Sequence, residues 1–582
     1  MGLYLRLVPS RPILLGVIGA FLGAAVMTWP TVIDLDAGMT GHPGNDTWNH
    51  AWGLWWVFQG IFENGSIPSS TDLLNYPEGG TLFFIDTFNA LISLPLQGLF
   101  GLAVAYNLVV IFALACTLFG AWMLARHVLR DDACAAVSAV VYGCSAHLMG
   151  QAYNGITETI NAGWIPLYVL TLLRLLDRPS VGRGVAAGLM MGVCAVSNFY
   201  YGLFSILLSI VVVLHLAITD RGRVQWVPAM GSLALAAVVS ALMVFPVLRH
   251  LAATMGAEDA MVARDPRFVW DSLIRHNISD FISFFRPGKH YSPDLKAQYG
   301  EELLIVTYLG WVSLVLASIS LAMHRRRRDL TLWLTVFVVF FLFSLGPYLH
   351  VNGEYVNFQG RRIPLPFLPF FEAFPIFDRI SHPFRFVVPA SLGLAMLAGH
   401  GARLLLRGVS GRVRSCWIGA LVLVVSMEVL LASPAIWPLP RSDARIPDLY
   451  SELKGEGAVL DLPITVPNLE RAMYSYFQTE HGLPSPYGLN EPIPTAIWRN
   501  RFTRFLIMLE AGRAVTLPRQ LPDLEIVAGV ELLRAQGYGF IVVHEKLYTR
   551  AKARMIESVL SAVLGPPQVF PSDGLALYEL SQ

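Results

Sequence analysis

The side chains best placed for chemistry in this chain are three carboxylates set among apolar, aromatic and amide residues. Asp46 sits near the start of "GNDTWNHAWGLWWVFQG" (44–60), beside Asn45, Asn49 and His50. Asp86 lies in the apolar end of "TDLLNYPEGGTLFFIDTFN" (71–89), and Glu158 in "SAHLMGQAYNGITETINAGW" (145–164) with Gln151, Asn154, Thr157 and Asn161. Carboxylates converging from separate loops are what acid–base catalysis or a metal-assisted site requires. Each also has a plainer reading. Asp46 is a good helix N-cap, Asp86 can be wet among lipid headgroups, and Glu158 can complement a helix dipole from the first turn. Asp46 nevertheless has more polar neighbours than a cap needs, and an ionisable group at membrane depth usually faces a cavity or a partner.

Cations form a second set. Arg264 and Arg267 lie in a long segment, 249–302, together with Arg249, Arg275, Arg286, Lys289, His290 and Lys296. Arg379, His382 and Arg385 belong to "PFFEAFPIFDRISHPFRF" (369–386), just ahead of an apolar run. A guanidinium fork matches a lipid phosphate. The alternatives are a solvated mixed-charge loop, in which Asp265, Asp271 and Asp280 nearly balance the cations, and ordinary snorkelling.

The elements that must position these residues are membrane helices, because 54% of the chain is apolar and only 14% is charged. A net charge of +1 leaves no global electrostatic case for nucleic acid. Apolar runs near 12–33, 104–126, 132–149, 158–175, 183–199, 200–219, 228–248, 303–323, 330–347, 386–405 and 415–437 suggest about eleven spans. The segment 82–103 is hydrophobic but interrupted by proline. With an odd count, Arg6, Arg11, Arg126, Arg130, Arg174, Arg178, Arg183, Arg221, Arg223, the run Arg325–Arg328, Arg403, Arg407, Arg412 and Arg414 share one side. By the positive-inside rule that side is cytoplasmic. The N-terminus is then cytoplasmic in a bacterial inner membrane, and the loops 34–103, 249–302 and 348–385 and the tail from 438 face outward. The expected division is 1–437 in the membrane and 438–582 exported.

Trp48, Trp52, Trp55 and Trp56 recur at helical spacing, as in a helix lying along the membrane interface. All five cysteines fall in apolar runs, so the tail needs a core of its own. There "AVLDLP" (458–463) and "GFIVVH" (539–544) read as buried strands and "YTRAKARMIESVLSAVL" (548–564) as a helix, giving a small α/β domain. In "WRNRFTRFLIML", Trp498, Phe502, Phe505, Leu506 and Leu509 share a helical face that lies on the membrane surface or packs on the domain's own sheet.

No nucleotide-binding P-loop, nucleophile elbow or HExxH zinc site is present, so any donor must reach the outer face. A first-loop acid, a second in the next loop, many spans and an exported α/β tail resemble the GT-C class of polytopic glycosyltransferases. "LFSLGPYLHVNG", "FDRISHPFRF" and "AMYSYFQTEHGLPSPYGLN" look like stretches of bacterial GT-C-type membrane proteins. The resemblance implies transfer of a sugar from a polyprenyl-phosphate carrier to an envelope glycan, lipid or protein acceptor. It makes Asp46 the catalytic base or, with Glu158, a ligand to a divalent metal such as Mg or Mn. The working expectation is that His50, Asp86, Asn154, Arg264, Arg267, Arg379, His382 and Arg385 bind substrate. The first loop lacks a paired acid, which weakens the case for a double-acid or metal site, and the tail lacks a WWD-type motif, which argues against an N-linked oligosaccharyltransferase. A non-catalytic carrier or scaffold for lipid-linked glycans remains the alternative.

Overall fold

The computed structural model describes residues 11–261, 266–275, 277–287, 303–323, 328–453, 455–489, 493–513 and 524–580. Arg6, Arg264, Asp265, Lys289, His290, Lys296 and Arg325 lie outside the described residues, so the expectations for them stay there.

Each long apolar run contains a helix, although the first part of the run 303–323, up to Gly310, is not helical. In chain order come α1 (Arg11–Met27), α2 (Thr47–Asn64), α3 (Thr87–Phe100), α4 (Leu102–Leu129), α5 (Asp132–Gly143), α6 (Ala146–Asn154), α7 (Thr157–Ile160), α8 (Trp164–Asp177), α9 (Val181–Ser197), α10 (Phe199–Thr219) and α11 (Trp226–Met255). Trp311–Met323, Arg328–Ser344, Val387–Leu405 and Gly411–Ala432 complete the apolar set. Among the described residues 5 helices are long and apolar enough to cross a membrane, and α5 with α6, bent by 45°, makes a sixth if the pair is one span. The interrupted segment 82–103 holds α3, which carries Pro95 inside it.

Val387–Leu405 is buried along nearly its whole length and serves as the axis of one half of the bundle. Small residues allow this: a Cβ on Gly401 would stand 1.9 Å from the Leu316 carbonyl oxygen, so the helices meet backbone to backbone. Glu428, a carboxylate within an apolar run, caps a neighbouring helix. It accepts from Trp311 N at 2.6 Å and Val312 N at 3.0 Å, the first donors of Trp311–Met323, and from the Tyr308 hydroxyl at 2.7 Å. Those amides have no partner within their own helix.

The C-terminal region contains a four-stranded sheet in the order Gln568–Phe570, Leu575–Glu579, Tyr538–His544, Ala458–Leu462. The last two strands, both foreseen from the sequence, pair in parallel; the other pairings are antiparallel. Arg550–Leu564 is the expected helix. "WRNRFTRFLIML" is not one helix but two, because Asn500 ends Thr495–Arg499 and caps Arg501–Glu510 by accepting from Phe502 N and Thr503 N. Phe502 and Leu506 are fully buried in the C-terminal core, so this face packs on its own region.

Several contacts join that region to the bundle. Gly38–Thr40 pairs antiparallel with Arg441–Asp443, and Asn468–His481 lies along α2. There Trp48 meets Tyr476 at 5.0 Å between rings, and Trp52 Nε1 donates to Gln478 Oε1 at 2.8 Å. Trp48, Trp52 and Trp56 are therefore buried under protein, not laid on headgroups as their spacing suggested. Both a membrane-surface helix and a covered one need an apolar stripe.

Candidate functional site

α2, the segment 81–89 and α7 converge where the bundle meets the C-terminal region. Each is held locally. Asp46 occupies the N-cap position of α2 but makes no capping hydrogen bond with its side chain. Its backbone N–H instead donates to the Asn154 carbonyl at 3.0 Å, and its Oδ1 accepts from Asn49 Nδ2 at 3.2 Å. The cap alternative is thereby removed, and the carboxylate stays half-buried.

One turn further along α2, His50 faces both other acids. Its Nδ1 lies 3.4 Å from Asp86 Oδ2 and its Nε2 3.3 Å from Glu158 Oε2. All three side chains are buried, and their ligand-capable atoms lie within 4.8 Å of one another. Asp86 is fully buried, not wet. The Thr157 hydroxyl bridges the group, lying 2.9 Å from His50 Nδ1 and donating to Asp86 Oδ2, which also accepts from Asn89 Nδ2 at 3.1 Å. Asp86 Oδ1 and Glu158 Oε2 have no hydrogen-bond partner despite full burial. Burial alone pushes the His50 imidazolium down. Glu158, Asp86 and Asp46 together override it and raise its pKa to about 9.

A buried imidazole nitrogen and two carboxylates, with carboxylate oxygens left unpartnered, are a donor set that fits a divalent cation. Nitrogen in the set suits Mn better than Mg, which prefers oxygen and water. The ligand-capable group joins Glu158 with Asp86 and His50, and Asp46 lies one turn of α2 away from it.

The surrounding frame is polar and fixed. Asn154 receives an N–H from Leu304 at 2.9 Å and donates to its carbonyl at 2.9 Å, while its Oδ1 accepts from Asn45 at 3.1 Å. It thus ties α6 to α2 and to the strand-like 304–306, a structural place for a residue expected to bind substrate. His147 holds the Val306 carbonyl at 2.9 Å through Nδ1, and its Nε2 is buried without a partner.

Of the expected cations among the described residues, only Arg385 reaches this region. It is 9% exposed, its guanidinium lies 4.9 Å from the centre of the Tyr200 ring, and its Nε has no hydrogen-bond partner. Its charge acts on Glu158 and His147. Arg379 is exposed and pairs with Asp378 at 3.4 Å, His382 is half-buried with its Nδ1 2.7 Å from the Ser381 hydroxyl, and Arg267 is exposed. The structure does not bring these three to the acids. Tyr200 was not singled out from the sequence, while His147 and Thr157 were read only as part of the polar stretch around Glu158. Thr157 was visible, one residue before Glu158, but nothing in the chain marks which hydroxyl will bridge two separate loops.

No family model matches the chain. A stretch of 255 residues is 26% identical to the undecaprenyl phosphate-alpha-4-amino-4-deoxy-L-arabinose arabinosyl transferase of Pseudomonas aeruginosa strain UCBPP-PA14, covering 43% of this chain and 42% of that protein. The chain thus spans about two fifths of the length of the curated relatives it matches. Among solved structures, the oligosaccharyltransferase AglB of Archaeoglobus fulgidus, in complex with an inhibitory peptide and a dolichol-phosphate, matches 98% of this chain and 74% of its own. The TM-score is 0.53 at 11% identity. The arabinofuranosyltransferase AftD from Mycobacteria matches 99% of this chain and 42% of its own, with a TM-score of 0.51 at 13% identity. The resemblance to GT-C membrane glycosyltransferases is borne out at the level of the fold, and with it a helical membrane domain.

Proposed function

We propose that this chain transfers a sugar from a polyprenyl-phosphate donor to a glycan, lipid or protein acceptor at the outer face of a bacterial inner membrane. Residues 1–437 would form the membrane part and 438–582 an exported part. The observation that carries the proposal is the buried His50–Asp86–Glu158 group one helical turn from Asp46, within a GT-C fold. The named activity of the partial relative and the carrier lipid bound by AglB point to the same class of donor.

In this reading Asp46, half-buried and oriented by Asn49, is the base. It takes the proton from the acceptor hydroxyl as that oxygen bonds to the anomeric carbon. The carbon–oxygen bond to the carrier phosphate breaks, and the phosphate leaves with the bonding pair. Attack opposite the leaving group inverts the carbon. Arg385 meets the departing charge, so no strong general acid is needed. His50, Asp86 and Glu158 would hold a divalent cation, which supplies further positive charge for the leaving phosphate. Without one, the His50 proton neutralises part of the same charge. Asn154 and His147 hold α6 against 304–306 and keep the acids in register.

The test is transfer of label from a panel of polyprenyl-phosphate sugars by purified protein in lipid, with and without divalent cation. Removing a general base costs ~10²–10⁴-fold in rate, and Asp46→Asn is expected to fall in that range with normal membrane insertion. Full activity of Asp46→Asn removes the base. Donor binding without transfer in the wild type would instead make the protein a lipid-glycan binder.

A further inference from the structure

The geometry points to a second lipid-phosphate site, on the membrane face of α11: a groove lined by Phe245, Pro246, Arg249, His250 and Ala253 that takes a phosphate-bearing acceptor lipid. The groove measures about 410 Å³ and lies outside the acid cluster. That the occupant is an acceptor rests on the transfer reading above; its binding does not.

Depth is the first argument. α11 begins at Trp226, next to Arg221 and Arg223, and at ~1.5 Å per residue Arg249 stands about 35 Å further along its axis. The hydrocarbon core is about 30 Å thick, so with one end of α11 at one interface Arg249 reaches phosphate level at the other.

The surface of α11 is the second. Val238, Leu242 and Phe245 are 56%, 71% and 62% exposed, an apolar flank leading to the groove. Water does not suit that flank and an acyl or prenyl chain does. Pro246 lacks an N–H, which frees a backbone carbonyl of the preceding turn and marks a natural break in the helix surface.

Charge is the third. Arg249 is exposed, and His250 Nε2 is buried without a hydrogen-bond partner. Two exposed carboxylates follow the end of α11, Glu258 and Asp259, and Asp259 accepts from the Thr81 hydroxyl at 3.2 Å. A cation and an imidazole above an apolar flank complement a lipid that ends in phosphate.

The groove also backs on the acid cluster. The Phe83 ring contacts His250 at 5.6 Å and Phe199 at 6.1 Å, while Phe84, the next residue, contacts His50 at 6.2 Å. Thr81 is bridged to Ala260 beyond α11, and Asp86 belongs to the cluster. The short segment 81–86 is therefore the wall between the two sites. Arg385 reaches the cluster from elsewhere, over Tyr200, so two phosphates can be held at once, one by each arginine.

The test uses the full chain in detergent and native mass spectrometry, with dioleoyl phosphatidic acid as the probe and dioleoylglycerol as its phosphate-free match. Two variants address the groove: Arg249→Gln removes the charge, and Ala253→Trp fills the space while keeping the cation. The expected result is about tenfold tighter binding of phosphatidic acid than of dioleoylglycerol, from one charge-assisted contact. Both groove variants should lose that preference and Arg385→Gln should keep it. Equal binding by wild type and both variants overturns the site, and so does equal binding of the two lipids. Displacement of the lipid by millimolar inorganic phosphate would assign the cations to a free anion and overturn the lipid. In transfer assays Ala253→Trp should raise KM for a lipid acceptor about tenfold and leave KM for the donor unchanged. A wild type that transfers nothing yet keeps the groove-dependent lipid preference would sink the transfer reading and leave the site standing.

Discussion

Gln478→Leu is expected to loosen the helix that carries Asp46 and His50 without touching either. Gln478 is fully buried. Its Oε1 accepts from Trp52 Nε1 at 2.8 Å, and its Nε2 donates to the carbonyls of Leu73 at 2.7 Å and Leu483 at 2.8 Å. Leucine is similar in volume, so little cavity forms, but the Trp52 N–H and the Leu483 carbonyl lose these bonds in a dry contact, while the Leu73 carbonyl keeps the Ser485 N–H at 2.8 Å. Each buried group left unsatisfied costs ~1–3 kcal/mol, so the contact between α2 and Asn468–His481 weakens by about 3 kcal/mol or more. A membrane protein of this size has no single unfolding free energy. The appropriate readout is local hydrogen exchange, in which 3 kcal/mol corresponds to roughly hundredfold faster opening. The acceleration should appear in α2 and in Asn468–His481 and be absent from Val387–Leu405. Trp52→Phe loses one bond of the three and should accelerate exchange about tenfold. Gln478→Glu keeps the acceptor for Trp52 but sets oxygens against two carbonyls, and should be no better than leucine. Protection in Gln478→Leu within threefold of wild type would refute the claim that this side chain holds α2.

The His50 proton makes a second prediction. Its pKa is raised from 6.5 to about 9, so the stabilisation it brings is fully present below about pH 6.5 and is lost as pH rises through about 9. In the presence of a chelator, thermal unfolding of the wild type should shift to lower temperature across that window, and His50→Gln should lack most of the shift. A flat wild-type profile would sink the assignment. Because a metal displaces the same proton, Mn affinity should rise with pH up to about 9; affinity independent of pH would place the cation elsewhere. Third, Glu428→Gln keeps one acceptor and its shape but loses the charge, whereas Glu428→Ala abandons two helix amides and the Tyr308 hydroxyl. The expected order of melting temperature is wild type, then Gln, then Ala, with the alanine variant clearly separated from the other two. An alanine variant as stable as wild type would show that the cap contributes nothing.

What could be read from the chain and what could not divide along physical lines. The apolar runs were legible because a helix in hydrocarbon needs a long uninterrupted stretch, and each such run contains a helix, though 303–310 lies outside one. The strands at 458–462 and 538–544 were legible for the same reason on a shorter scale: continuous β-branched and aliphatic residues have nowhere to go but a buried sheet. That Glu158 would meet another acid was also readable. Which acid was not, since the choice between Asp46 and Asp86 depends on how 81–86 is laid against α2, a tertiary matter. Arg379 and Arg385 look alike six residues apart, yet the turns at Phe377–Arg379 and Pro383–Phe386 leave one exposed and carry the other inward. The tryptophans of α2 showed an apolar stripe but not its cover. Glu428 looked like an exception among uncharged spans, and the helix start it caps lies more than a hundred residues earlier.

The pairing of Gly38–Thr40 with Arg441–Asp443, and of Trp52 with Gln478, has a consequence for biosynthesis. The first strand of each pair leaves the ribosome some four hundred residues before its mate. At ~5–20 residues per second of synthesis, α2 waits on the order of half a minute or longer with its tryptophans uncovered. During that interval the helix that carries Asp46 and His50 lacks the contact with Asn468–His481. A chain that stalls before residue 478 is therefore left with an exposed aromatic face, a mark that quality-control proteases can read, and with an unfinished site that is not yet able to act on the lipids around it.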